Sequence, residues 1–524
     1  MQSSFRSLRD RRQRTVLRLQ VSGRWFVYSD DTLAFTDSSA PSALPVVTRP
    51  GLVEPDLSDA LGSDGAEVSI DLLDPEGHAA LIAGIETAWA ELYQIGEGED
   101  WTTRRLLLRG WADAPTYGHE AEPIRFGLAS APWEDRGLVP LPTWRVSATT
   151  WPRAGSALVC PEDLYGPYYP VVLGAPGQDA GLGTGLEEAD WYPIPALLVE
   201  IDDTLDPPAN TTTDCTVLLG YGRLACVGGE IELYSETLRT HATLTPYATT
   251  DAAGTPVTCV TVSQADLPIT LGDPLFWRPT QASPAGIPGT ETAGGAIRWL
   301  LGYSSVGFDP AALGDAVDRL GRWRVDLLLN EPLAPYSFVQ DQLLSILPVE
   351  LIETGWGAAW CVLPVEPAEA QAVAQIDVAA EGGYRSGPVE VSSWREISTE
   401  ILIEYAPDTR TGAYRRTLSL SSAAAQARFP GPRILTIQAD AICDPGTALA
   451  LGGYHLARAS QLVREVEVVL PPVFQTLSPG DLVTLTISDV GWSRVLCVVL
   501  SVPRISGLGV FRFRSVPSPD RSCA

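Results

Sequence analysis

Hydrophobic positions along this chain alternate far more often than they recur at helical spacing. The first run, 16-VLRLQVSGRWFVYSD-30, places Leu17, Leu19 and Val21 on one side of a strand. Trp25 and Val27 follow after a Ser22-Gly23 turn, which predicts a hairpin with one buried face. The strand 67-EVSIDLL-73 shows Val68, Ile70 and Leu72 on one side, and 104-RRLLLRGW-111 and 123-PIRFGL-128 read as two more. Between them, 78-HAALIAGIETAWAELYQI-95 repeats Ile82, Ile85, Trp89 and Leu92 at helical spacing and predicts an amphipathic helix laid on that sheet.

From 131 to 320 turns dominate, and strands are predicted at 215–222, 223–227, 230–235 and 256–263. Beyond that, 309-DPAALGDAVDRLG-321 predicts a short helix with Asp309 as N-cap, Pro310 at its first position and Leu313, Val317 and Leu320 on one face. The strand 322-RWRVDLLLN-330 follows. A helix over 337–347 carries Val339, Leu343 and Ile346 and stops at Pro348. Strands are expected at 349–354, 358–364 and 400–406, and a helix over 445–463 starts behind Asp444 and Pro445, with Leu456, Ala459 and Val463 as its packing stripe. The strand 465–470 and a final hairpin over 494–516 close the chain. The fold class read from this pattern is mainly β with a few packing helices, a β-rich α+β chain of several domains.

Composition agrees with many short strands. Gly (47) and Pro (43) make up about one residue in six of the 524, against a usual one in eight, and only 19% of residues are charged. The chain contains no lysine, so its 36 basic residues are all arginine. That excludes a Schiff base with a carbonyl or pyridoxal cofactor, a P-loop lysine and a kinase-type ATP lysine. The net charge of −28 opposes a nucleic-acid clamp, since such affinity comes from neutralising phosphates. Residues 1–14 run the other way, with Arg6, Arg9, Arg11, Arg12 and Arg14 against Asp10, and read as a flexible basic arm. The start lacks the apolar stretch of a signal peptide, and the apolar runs are too short for a membrane segment, so the chain is expected to be made in a cytoplasm.

Candidate chemistry is sparse. The eight cysteines form no C-x-x-C pair and are expected to be reduced and metal-free, with Cys215, Cys226 and Cys259 the group closest to a site. His78, His119, His241 and His455 are scattered, and His119-Glu120 lacks the second histidine of a zinc helix. The glycine-rich run 174-GAPGQDAGLGTG-185 has the wrong spacing for a dinucleotide loop and acidic neighbours. No catalytic, cofactor-binding or metal site is therefore assigned, and the chain is read as no enzyme. Acidic pairs such as Asp202-Asp203 and Glu187-Glu188 keep a carbohydrate-active hydrolase as a minor reading. A receptor or glycan-binding role is the stronger rival, from Trp151, Tyr165, Tyr168, Tyr169, Trp191, Tyr192, Tyr221 and Trp277.

The order of elements carries a resemblance. The strand 67-EVSIDLL-73, the run 89-WAELYQIGEGEDW-101 and its close 107-LLRGWADAPTYGHEAEPIRFGL-128 resemble the tail hub proteins of long-tailed bacteriophages and gene transfer agents. So do 336-YSFVQDQLLSILPVELIETGWGAAW-360 and the helix, strand and turn of 438–487 ending in 478-SPGDLVTLTI-487. The resemblance implies a basic arm over 1–14, a tube-like β-barrel domain with one helix over 15–130, and a β-rich middle or insertion region over 131–320. A second tube-like domain over 321–515, with helices near 337–347 and 445–463, and a tail over 516–524 would follow. It further implies a structural virion protein at the tail tip, assembled in the host cytoplasm as a homotrimer. A distal tail or tail tube protein would sit on one side and a tip, fibre or spike protein on the other, with DNA passing only transiently through the channel. Some related tip proteins hold an iron-sulfur cluster on grouped cysteines; this chain lacks such a run, and no cofactor is carried over.

Overall fold

The computed structural model describes the strands between residues 13 and 130 and most of 137–516. Outside the described residues within 137–516 lie 153–157, 175, 177–193, 203–208, 210–213, 281–284, 305–309, 355–356, 363–371, 409–411, 430, 478–479 and 503–508. The basic arm to residue 12, the tail past 516 and residues 78–87 also lie outside them.

The N-terminal strands are β1 (Gln13–Val21), β2 (Arg24–Ser29), β3 (Glu67–Leu72), β4 (Trp89–Gly96), β5 (Arg105–Thr116) and β6 (Ile124–Ser130). They form one sheet in the order β2-β1-β4-β5-β6-β3. Arg49–Pro50 flanks β2 and Leu52–Val53 flanks β3. Those two flanking segments are one residue apart in the chain, so the sheet curls until its edges approach each other. Leu17, Leu19, Tyr28, Ile70, Leu72, Leu92, Ile124, Phe126 and Leu128 fill its inside. The expected β1–β2 hairpin forms.

The helix expected over 78–95 is corrected here: its described part is a strand. β4 pairs antiparallel with both β1 and β5, and Ala88, Ala90 and Leu92 face the core in strict alternation while Trp89 and Glu91 face outward. The misreading has a physical cause. Tyr93 and Ile95, on the second face, are also buried, so apolar residues recur every third position without a helix. Pairing on both sides then decides between two periods that the segment alone satisfies.

The middle of the chain forms a second curled sheet. Its strands are β7 (Ile194–Asp202), β8 (Cys215–Tyr221), β9 (Ile231–Ser235), β10 (Thr240–Leu244), β11 (Tyr247–Thr250), β12 (Pro256–Val262) and β13 (Leu275–Pro279), in the order β10-β9-β13-β7-β8-β12-β11. Ala242 and Leu244 of β10 share one core with Val260 and Val262 of β12, around the fully buried Trp277. The strand expected at 223–227 is a turn instead. Gly222 leaves β8 at φ +75°, a left-handed conformation that glycine adopts freely, and Val227 and Gly229 donate to the Leu224 and Cys226 carbonyls.

A helical layer follows: α1 (Ala293–Leu301), α2 (Pro310–Arg319) and α3 (Pro335–Phe338), which runs into a π-helical turn over Val339–Leu344. A Cβ on Gly294 would stand 2.0 Å from the Val317 carbonyl oxygen, so only glycine lets α1 approach α2 so closely. Val171–Leu173 pairs with Leu327–Leu329, and one core runs from Val139 to Leu451. The hairpin β14 (Val349–Thr354) and β15 (Gly357–Val362) comes next.

The remainder divides into two sheets. One is built by β16 (Ala374–Asp377), β20 (Arg464–Leu470), β21 (Leu482–Ile487), β22 (Trp492–Ser501) and β23 (Gly509–Ser515) in the order β16-β21-β22-β23-β20, with Tyr384–Arg385 and Glu390–Val391 beyond β20. Between β16 and β20 the chain inserts β17 (Glu400–Pro407), β18 (Tyr414–Ser421), α4 (Ala423–Arg428), β19 (Ile434–Ala439) and α5 (Pro445–Ala459). β19 runs parallel to β17, and the sheet order is β18-β17-β19.

The helix expected over 445–463 forms as α5 and ends at Ala459, and its Tyr454 packs against Leu482 and Val498 of the closing sheet. α5 begins as expected, with Asp444 accepting the Thr447 N–H at 2.6 Å and Pro445 at its start, but covers the three-stranded sheet. Ala448 and Leu451 join its buried face, where Gly452 meets Ile403 and Leu420, while Leu456 and Ala459 are half-buried and Val463 lies beyond the helix. The stripe was displaced by one position, about 100° around the axis. Contacts to the helical layer set that rotation: Asp326 N–H donates to Ala441, Arg324 N–H to Thr447 Oγ1, and His455 Nε2 meets the Ile346 carbonyl at 2.8 Å.

Candidate functional site and assembly surfaces

The aromatic residues that suggested glycan binding are placed one by one. Trp277 is wholly buried and its indole N–H donates to the Leu219 carbonyl. The Trp151 N–H donates to the Tyr169 hydroxyl at 3.1 Å, which in turn donates to Asp251 Oδ2 at 2.8 Å. The other Asp251 oxygen accepts the N–H groups of Ala253 and Thr255, so this buried chain pins the segment before β7 onto the β11–β12 turn. Burial pushes the Tyr169 phenol well above its ordinary range, and the neighbouring carboxylate pushes in the same direction. Tyr221 stacks on Trp144 at 3.6 Å, with Trp299 and Tyr303 edge-on around the pair. Tyr165 is half-buried against the same core, and Trp191 and Tyr192 lie outside the described residues. Only Tyr168 faces open space, in a groove of about 470 Å³ shared with Pro170, Pro195, Asn330 and Glu331.

Titratable groups do not converge. Cys215 and Cys226 point into the middle barrel, whereas Cys259 faces the helical core on the other side of the same sheet. Burial pushes the thiols of Cys160, Cys226 and Cys259 up to about 12 and raises that of Cys497 further. They therefore stay protonated at neutral pH, the state least suited to nucleophilic attack or metal ligation. Among the described residues no three His, Cys, Asp or Glu side chains gather as metal ligands would. His241 is exposed on β10, and His78 and His119 lie outside the described residues. Asp202 is buried, while Asp203, Glu187 and Glu188 are outside the described residues. Among the described residues no helix is long and apolar enough to cross a membrane.

What the surface does offer is unpaired sheet edge. β19 is bonded on one side only, to β17, and its Ile434 and Leu435 are 55% and 40% exposed. Beside its start, the Arg433 guanidinium lies 4.7 Å over Trp394, itself 54% exposed, and donates to the Trp394 carbonyl; Arg428 stands 5.7 Å from the Phe429 ring. Cation–π stacking holds these arginines over apolar rings and keeps them at the strand's edge. Sequence reasoning passed over this patch. The signal was present in 434-ILTIQA-439, a six-residue strand without charge or proline.

Within that geometry, the comparisons with known proteins bear on the C-terminal part. Residues 338–498 match the family of putative phage tail proteins, Phage-tail_3. The matched segment takes in the π-helical turn, β14 and β15, the whole three-stranded insert with α5, and the closing sheet through β21 and most of β22. Among solved structures, the chain is similar to one from the virion of a native gene transfer agent particle, at 14% identity and a TM-score of 0.38, covering 59% of this chain and 80% of that one. It is also similar to the 43 kDa tail protein of prophage MuSo2 from Shewanella oneidensis, at 9% identity and a TM-score of 0.32, covering 96% and 98% of the two chains. A tail protein from Neisseria meningitidis MC58 is similar at 9% identity and a TM-score of 0.32, covering 96% of each. No curated protein matches the chain.

Proposed function

We propose that this chain is a structural protein of a phage-type tail, and within it the hub that joins the tail tube to the tip. The observation that carries the reading is the match of residues 338–498 to putative phage tail proteins. The architecture supports it: a largely antiparallel sheet near each end of the chain, with buried inner faces and edges left for neighbours. In the proposed assembly three copies form a ring. The first wall unit of each copy is the sheet of β1–β6, and the second is the sheet of β16 and β20–β23, so that six walls surround the axis. A distal tail or tube protein sits on one side and a tip, fibre or spike protein on the other. The chain acts by shape and is no enzyme. With a net charge of −28, its lumen is acidic or neutral, so DNA passes without adhering.

Electron microscopy of particles or of the purified chain tests this directly. The expected image is a threefold ring at the tail tip with one chain per third. One copy or six copies per tail, or a lumen lined mainly by arginine, overturns the reading.

A further inference from the structure

We propose that the free edge of β19 in one copy pairs with the free edge of β16 in the next, closing the ring head to tail. The inference rests on the homotrimer reading and names the contact that makes it.

Among the open edges of the described residues in the C-terminal half, which include β18, those of β19 and β16 are complementary. On β19 the row 434-ILTIQA-439 carries no charged side chain to discourage pairing, and no strand of the described residues lies beyond it. Its start is rimmed by Arg433 and by the exposed Arg395 and Arg428, next to the exposed Trp394. Among the described residues β16, 374-AQID-377, bonds only to β21. Val373 just before it is 45% exposed, Gln375 and Asp377 point to solvent, and Glu381 follows. The β19 edge is apolar at its start with a basic rim, whereas the exposed side chains of β16 are the polar Gln375 and the acidic Asp377. Four paired residues span about 13 Å.

The alternatives fit less well. The basic arm over residues 1–14 carries the same sign as the β19 rim and is repelled by it. Pairing β19 with a second β19 is two-fold and closes at two copies, leaving β16 open, whereas a β19–β16 contact is head to tail and generates a ring. A second copy of this chain, at net charge −28, also supplies the acidic partner that the arginines require.

The test uses the full chain and measures oligomeric state by native mass spectrometry and light scattering over a concentration series. Two charge-reversed variants are made: Arg395→Glu with Arg428→Glu, both at exposed positions, and Asp377→Arg at an exposed position with Glu381→Arg at a half-buried one. Each is expected to weaken association at least about tenfold, and the chain carrying all four changes to recover most of that loss. Ile434→Lys, at a solvent-facing position, should weaken it as well, with circular dichroism unchanged. A trimeric parent whose reversed variants associate as tightly as the parent overturns the pairing while leaving the hub reading intact. Weakening in both variants without recovery in the combined one also overturns the pairing. A parent that stays monomeric at every concentration overturns both.

Discussion

The middle barrel and the three-stranded insert are built from the same alternating grammar and end in opposite conditions. In the barrel, β7–β13 curl around Trp277 and bury outward apolar residues such as Val199, Leu218 and Val257 against the helical core, and the polar chain Trp151–Tyr169–Asp251 locks the preceding segment onto its rim. In the insert, α5 covers one face of β17–β19, the other face is polar, and the β19 edge stays open. The middle sheet buries its inner face within one chain, although its end strands β10 and β11 are each bonded on one side among the described residues. The insert is buried only on the face that α5 and the helical layer cover, which teaches that burial, not strand content, separates scaffold from contact surface.

The sharpest way to break that contrast is at the barrel's centre. Trp277→Ala is expected to cost about 3–5 kcal/mol, through lost burial, the cavity and the orphaned Leu219 carbonyl, read by denaturant unfolding. A loss below about 1 kcal/mol would mean that the barrel does not depend on its central side chain. Next in size is the polar pin. Tyr169→Phe leaves Asp251 and the Trp151 N–H each short of a partner and should cost about 1–3 kcal/mol.

Two glycines side by side on α5 sharpen the insert. A Cβ at Gly453 meets nothing within 4 Å, so Gly453→Ala should stabilise by about 0.5–1 kcal/mol through helix propensity. At Gly452 a Cβ would stand 2.6 Å from Leu420 Cδ1, and the same change there should destabilise. Opposite signs in thermal unfolding confirm which face α5 buries.

A smaller effect is the pH dependence of His455, where α5 meets the π-helical turn. Burial lowers its pKa, and Arg458 adds to that. The folded state thus favours the neutral ring, so its contribution is full above the unfolded value of about 6.5 and is lost as pH falls through the lowered value. His455→Gln should flatten the stability profile on the acid side; an unchanged profile would place the dependence elsewhere. Smallest of all is Ile434→Ser, expected to change monomer stability by less than about 0.5 kcal/mol because more than half of that residue already faces solvent.

Much of the architecture was legible in the residues themselves. The β1–β2 hairpin, the strands at β3, β6, β8, β9, β12, β17 and β20, and the start of α5 behind Asp444-Pro445 follow from alternation and capping chemistry. Three readings failed where neighbours overrule the local signal. β4 has apolar residues on both faces, which imitates helical spacing; 223–227 has strand-forming residues but follows a left-handed glycine; and α5 is rotated by its contacts with Asp326, Arg324 and Ile346. The aromatic residues taken as ligand platforms are mostly core, since composition carries no direction for a side chain.

By itself, then, the sequence determined what local chemistry determines: the mainly β class, the start of α5 behind Asp444, the exclusion of lysine-dependent chemistry and the acidic balance. Each depends on residues within a turn or two of one another, or on a simple count. Only the tertiary structure decided which faces are buried, that one core runs across residue 320, that residues 400–439 form a sheet separate from the one they interrupt, and that β16 and β19 keep open edges among the described residues. These are pairings between residues far apart in the chain. A strand's own residues state that it will pair, but whether a partner arrives on each side is settled by the rest of the molecule.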